Sequence, residues 1–176
     1  MKTQSLGRIA ILTNTYPPEF GAAPARIHRM AKGLKQAGFE VEVFTGMPSY
    51  PLNSIATQYK SRWAMDETVE GIDVRRHWVS FYRGKSKWGR FRQMFSLAFS
   101  IATSLPYLLK KRNRPDCMIV QYPPIALPLL ALALKKILGI RLIANFSDLW
   151  PFAMADLGVV HEKSLTYKIL ESIEKR

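Results

Sequence analysis

The chain has 176 residues, with 26 Lys and Arg against 13 Asp and Glu, giving a formal net charge of +13. Nearly half of the residues are apolar and aromatic residues run along the whole chain, which excludes disorder and supports one domain with a real core. A single cysteine, Cys117, excludes a disulfide framework and a cysteine-based metal site, and the N-terminal apolar stretch is too short for a secretory signal, so the expected location is cytoplasmic.

In chain order, "RIAILT" (8–13) predicts a buried strand. The segment 24–37 then sets Ile27, Met30, Ala31, Leu34 and Ala37 on one helical face, and Gly38 stops it. "EVEVFT" (40–45) alternates as a strand, and "IDVRRHWV" (72–79) predicts a weaker one. From 91 to 111, "MFSLAFSIATSLPYLL" is shorter than the roughly 20 residues of a membrane span. Its polar members Arg92, Ser96, Ser100, Thr103, Tyr107 and Lys111 recur every three or four residues, which predicts an amphipathic helix with cations at both ends, kinked or ended by Pro106. "CMIVQY" (117–122) and "RLIANF" (141–146) predict two more strands, joined by an apolar helix between Pro124 and Gly139. Strands and helices alternating in this way predict an α/β fold, a Rossmann-like doubly wound parallel sheet with helices on both faces. The closing "SLTYKILESIEKR" has a helical pattern with no capping Gly or Pro, which suggests a domain belonging to a longer protein.

Ligands of open parallel sheets bind at the carboxyl ends of the strands. Four of the predicted strands run there into loops rich in Pro, Gly and aromatics: "NTYPPEFGAAP", "GMPSYPLNS", "PPIALP" and "SDLWPF". The first lacks both the dinucleotide fingerprint and the P-loop signature. It does offer Gly21, Ala22 and Ala23, small residues that leave backbone N–H groups accessible ahead of a helix N-terminus, a place that attracts anions. Arg26 lies against the positive end of the helix dipole, an arrangement that makes sense with an anion between them. In "FSDLWPF", Asp148 either caps a turn or accepts a bond from a ligand hydroxyl, and Asp148 with Trp150 suits a sugar. His28, His77 and His161 have no metal-ligand spacing and are expected at the surface or in the core.

From "ILTNTYPPEFGAAPARIHRMAKGLKQAGFEVEVFTGMPSYP" to "QYPPIALPLLALALKKILGIRLIANFSDLWPFAMADLGVV", the chain resembles the N-terminal half of bacterial family 4 glycosyltransferases, the retaining GT-B group, with the fucosamine-transferase-like branch nearest. The resemblance implies one half of a GT-B fold, with 1–176 as the N-terminal, acceptor-binding domain and the donor-binding C-terminal domain outside this chain. It implies transfer of a sugar from a nucleotide-diphosphate sugar to a saccharide acceptor, with anomeric retention and no metal or other cofactor in this half. On the matching positions, Gly21, Ala22 and Arg26 face the donor's phosphates, while Ser49, Tyr50, Asp148 and Trp150 serve the acceptor, Asp148 as its orienting group. Gly21-Ala22 stands where a Gly-Gly pair is usual, and Phe152 where a Glu commonly follows the "DLWP" motif. This half alone is expected to be inactive.

No acidic residue occurs between Asp73 and Asp116, a stretch with eleven Lys and Arg. With a lipid-linked acceptor, as is common in such pathways, Arg83, Lys85, Lys87, Arg90, Lys110 and Lys111 would face the anionic inner surface of the cytoplasmic membrane. The rivals are a nucleic-acid- or membrane-binding module without catalysis, for which the interleaved cations and aromatics argue but no nucleic-acid motif does, and a regulatory domain that keeps the fold without the chemistry.

Overall fold

A computed structural model of the chain describes residues 5–49, 57–81 and 87–146, the side chains of Lys87 and Arg90 excepted. The chain divides into a unit of Met1–Asn145 and a second of Phe146–Arg176, of which only Phe146 is described. The elements run β1 (Arg8–Leu12), α1 (Ala22–Gln36), β2 (Glu40–Gly46), one 3₁₀ turn (Thr57–Tyr59), β3 (Ala64–Val69), β4 (Ile72–His77), α2 (Lys87–Ala102), α3 (Leu105–Leu108), β5 (Cys117–Tyr122), α4 (Ala126–Leu138) and β6 (Arg141–Phe146). They build one six-stranded sheet in the order β3-β4-β2-β1-β5-β6. β1 pairs in parallel with β2 and β5, β2 in parallel with β4, and β3 runs antiparallel to its neighbour β4. The Rossmann-like α/β architecture expected from the sequence is present.

Alternation along the strands feeds two cores, because successive strand side chains point to opposite faces. Ile9, Ile11, Val41, Val43, Ile72, Val74 and Ile119 bury against Ile27 and Ala31 of α1 on one face. Ala10, Leu12, Phe44, Met118 and Val120 meet Leu97 and Ile101 of α2 and Leu127, Leu134 and Leu138 of α4 on the other. α4 ends where expected, with Gly139 in the left-handed conformation at φ 61° and its N–H bonded to the Lys135 carbonyl.

Two features differ from the sequence reading. β3, "AMDETV", was not anticipated because it is an edge strand with only Met65 and Val69 as sizeable apolar residues. The turn joining it to β4 is a two-residue connection, Glu70-Gly71, with φ 46° and 82°, and a glutamate at a position that favours Asn or Asp hides the hairpin signal. The second difference concerns the amphipathic segment. α2 stops at Ala102, ahead of Pro106, and α3 opens a new turn with that proline at its start. Only part of the polar stripe faces solvent: Arg92, Thr103 and Lys111 are exposed, but Ser100 is buried beside Leu97 and Ile101, and Ser96 accepts the Ser80 N–H at 2.8 Å. Trp88, Phe91, Phe95 and Phe99 are exposed on the outside of α2.

His77 closes β4 on the α2 face, stacked on Phe44 and with Nε2 3.3 Å from the Ser104 hydroxyl. Burial, aided by the nearby Arg75 guanidinium, pushes its pKa down from 6.5 to about 4. The unfolded chain therefore binds a proton that the native state refuses, and stability falls as pH drops from about 6.5 towards 4, by up to about 3 kcal/mol. Urea unfolding at successive pH values should show this slope between pH 6.5 and 5, above the carboxylate range. The His77→Phe variant should flatten it.

Candidate functional site

The strand order reverses at β1, whose chain continues through β2 on one side and returns at β5 on the other. In doubly wound sheets the crevice outside such a switch point is the ligand site. Here the two strands are tied at that point: the Thr13 hydroxyl bonds Gln121 of β5 and the Thr15 carbonyl at 2.9 Å. Both side chains are buried.

The loop after β1 is built as a rigid arch. Tyr16 is fully buried, its hydroxyl 2.8 Å from Nδ1 of His28 on α1, and burial drives its pKa far above the usual phenol range. The far nitrogen of His28 lies 3.2 Å from the Glu70 carboxylate, which Lys32 also reaches at 2.9 Å. These partners, Lys32 first and His28 second, hold the Glu70 pKa below its ordinary value. His28 and His77 are thus both buried groups with structural partners, while His161 lies outside the described residues.

Two charged residues then lock the arch to the sheet. Glu19 is buried and accepts the Tyr16 N–H at 3.3 Å and the Ser49 N–H at 3.0 Å, so one carboxylate joins the loop after β1 to the loop after β2. Arg76 is fully buried; its Nε donates to Glu67 at 2.5 Å, its Nη1 to the Gly46 carbonyl at 3.3 Å and its Nη2 to the Pro17 carbonyl. Neither residue was singled out from the sequence for such a role. The available signals were the glutamate three residues after Tyr16 in "YPPE", and two arginines inside a strand, which must point to opposite faces.

This arch delivers the start of α1. Gly21 caps the helix with φ 137° and ψ 174°, a region that only glycine occupies comfortably. α1 begins at Ala22, two residues before Pro24, so Arg26 sits just past the first turn, exposed. No side chain caps this end and the first turn holds no acid, leaving the amides of Ala22 and Ala23 and the positive end of the dipole for an anion. The start of α4, following Pro123 and Pro124 at the end of β5, likewise has neither a side-chain cap nor an acid.

The structure therefore gathers Gly21, Ala22, Arg26 and Ser49 around one arch. Tyr50, Asp148, Trp150, Arg83 and Lys85 lie outside the described residues, and Lys87 and Arg90 are placed by backbone only, at the beginning of α2. Lys110 and Lys111 are exposed beyond α3, where the chain turns back towards the start of β5. A cavity of about 470 Å³ lies elsewhere, lined among others by Arg8, Glu42, Asp66, Arg75 and Tyr107. Its charges satisfy one another: Arg75 is bidentate to Asp66 at 2.7 and 2.9 Å and covers the Tyr107 ring at 3.5 Å. Burial raises the Glu42 pKa there, opposed by the Tyr107 hydroxyl that donates to it at 3.2 Å. Among the described residues no group of three or more His, Cys, Asp and Glu is arranged to hold a metal ion.

Glu19→Ala should strand the Tyr16 and Ser49 amides and lower stability by about 2–4 kcal/mol. Gly21→Ala should cost about 1–3 kcal/mol through backbone strain. Urea denaturation of the two variants checks both figures.

A family profile described as "Glycosyl transferase 4-like domain" matches residues 21–176. Among solved structures, the chain is similar to the catalytic domain of starch synthase IV from Arabidopsis thaliana bound to ADP and acarbose, with a TM-score of 0.53 and 17% identity over 81% of this chain and 34% of that one. The chain thus spans about a third of the starch synthase chain it matches, and the likeness shows the fold: a Rossmann-like domain of the GT-B kind. The C-terminal domain of a Pyrococcus furiosus hydrogenase is similar at a TM-score of 0.49 and 11% identity, over 82% of this chain and 95% of that one, too slight a likeness to argue from. No curated protein matches the chain. With the family profile covering well over half of its residues, the chain belongs to the glycosyl transferase 4-like family.

Proposed function

We propose that the chain is the N-terminal half of a retaining glycosyltransferase, one that moves a sugar from a nucleotide-diphosphate donor to a lipid-linked saccharide in cell-surface polysaccharide synthesis. The observation that carries the reading is the open start of α1, held at the switch point of the sheet in a chain of this family. The bond between the anomeric carbon and the donor's β-phosphate oxygen breaks, the acceptor hydroxyl oxygen bonds that carbon, and the hydroxyl proton is released. Negative charge grows on the leaving diphosphate. The amides of Ala22 and Ala23, the helix dipole and Arg26 form a preorganised positive field for that charge, the kind of arrangement that lowers such barriers most.

The acceptor's place in this reading is the neighbouring loop edge. Ser49 is fixed there through its N–H to Glu19, and the family resemblance adds Tyr50, Asp148 and Trp150 as acceptor-binding residues, Asp148 to orient the attacking hydroxyl. Orientation alone supplies a large share of a bimolecular barrier. The remaining donor contacts belong to a C-terminal domain that closes over this edge. A lipid-linked acceptor sets the enzyme at the inner face of the cytoplasmic membrane, in bacteria of the fucosamine-transferase-like branch, and the excess of cations suits that surface.

The test is release of nucleoside diphosphate by the full-length protein from a panel of UDP- and GDP-sugars, with and without a polyprenyl-diphosphate-linked saccharide. Release should require the acceptor, and Arg26→Ala and Asp148→Ala should each lower it by on the order of 10². NMR of the product should show the donor's anomeric configuration. Turnover unaffected by either substitution would overturn the residue assignment, and no turnover of any donor would overturn the reading itself.

A further inference from the structure

The aromatic face of α2 is a built surface. Trp88, Phe91, Phe95 and Phe99 follow one another at helical spacing on the outside of α2. Trp88 and Phe99 are 75% and 65% exposed, a poor placement for rings unless something covers them. Trp78, directly after β4, and Trp63, directly before β3, extend the row, stacked on each other at 5.5 Å, with Trp63 edge-on to Phe99 at 6.3 Å. The Trp63 indole N–H donates to Thr103 at 3.0 Å, which pins this end of the row. Trp78, Trp88, Phe91, Phe95 and Phe99 enclose a shallow hollow of about 360 Å³.

The position of the row follows from the packing of α2 and α3. Tyr107 reaches Glu42 in the middle of β2, Ser104 meets His77 at the end of β4, Leu97 lies against Gly46 at the end of β2, and Ser96 meets Ser80, already past the sheet. Residues of α2 before Ser96 therefore overhang the carboxyl edge, the edge that carries the candidate site. The surroundings are basic. Lys60 and Arg62 are exposed in the turn leading to Trp63, Arg92 lines the hollow and is exposed, and the sequence holds no acid from 74 to 115.

We infer that this aromatic row is the membrane-docking element of the protein, sinking its rings into the interface of an anionic bilayer while Lys60, Arg62 and Arg92 engage the headgroups. The inference rests on the lipid-linked acceptor reading for its purpose, since a row at the acceptor edge brings the opening of the site to the level where such an acceptor emerges. Aromatic rings prefer the interfacial zone, and cations beside them add attraction to anionic lipid. Among the described residues no helix is long and apolar enough to cross a membrane, so the contact lies in the plane of the surface. A single-stranded nucleic acid fits less well, because base stacking needs free ring faces, and here the rings lie against one another, Trp88 on Phe91 at 5.3 Å and 2° and Phe91 on Phe95 at 4.3 Å.

Flotation of the full-length protein with phosphatidylcholine vesicles, with and without phosphatidylglycerol, tests this, tryptophan emission being read in parallel. The wild type should float with the anionic vesicles and its emission should shift to the blue. A Trp88→Ser, Phe99→Ser double variant should lose about tenfold or more in partitioning. Leu6→Ser, which removes an equally exposed apolar side chain from the opposite edge of the sheet, should bind as the wild type does. Absence of binding to anionic vesicles at low salt would overturn the inference, as would unchanged binding by the double variant. So would a wild-type dimer that the double variant dissociates, or an oligonucleotide that binds through the same two residues. Turnover with a detergent-solubilised acceptor, measured in the same preparations, separates failure of the docking surface from failure of the glycosyltransferase reading.

Discussion

The candidate site depends on a charge buried where charge is expensive. Arg76 sits with no exposed surface at the carboxyl end of β4, and a guanidinium in that position is tolerable only if its N–H groups are used. Glu67, the Gly46 carbonyl and the Pro17 carbonyl use them, so the neutralising partner comes from β3 and the positional ones from β2 and the first loop. Three separate stretches of chain are thereby held at one point. The antiparallel edge strand β3, which adds little to the core, has a clear purpose in this arrangement: it supplies the carboxylate. Glu19 then repeats the device one layer further out, with a buried carboxylate spanning two backbone amides.

Given those two locks, the remaining geometry follows. A loop containing Pro17 and Pro18 has few conformations to lose, and fixing Tyr16 beneath it and Glu19 within it leaves Gly21 at a backbone conformation that a larger residue would strain. α1 then starts beyond the carboxyl end of β1 with no side chain capping its first amides. An anion site of this kind needs no lysine cluster, because the field comes from the backbone and is fixed before any ligand arrives. The basic surface of the chain is accordingly free for a different task, and the aromatic row on α2 lies beside several of its exposed cations.

How much of this was legible in the sequence varied with the kind of interaction. Central strands buried on both faces write continuous apolar runs, so β1 and β5 could be read directly, β2 showed in its alternation, and the small-residue start of α1 was visible in "GAAP". Edge strand β3 was not, because pairing along one side only leaves its composition nearly unconstrained. The orientation of α2 was not legible for a related reason. Periodicity finds the stripes of a helix without saying which one faces inward, and the small Ser96 and Ser100 pack closely against the sheet and the loop after β4 while the bulky rings are left outside. The locks at Arg76 and Glu19 were illegible because their partners, backbone groups together with the Glu67 carboxylate, are brought together only by the fold.

The central claim is that the amides opening α1 meet the donor's diphosphate. Amide hydrogen exchange of the full-length protein, compared with and without a turned-over nucleotide sugar, addresses it most directly. The account predicts slowed exchange at the Ala22 and Ala23 amides when donor is bound, with the protection lost in Glu19→Ala even where the variant stays folded. Turnover of a donor that leaves exchange at those residues unchanged would contradict it.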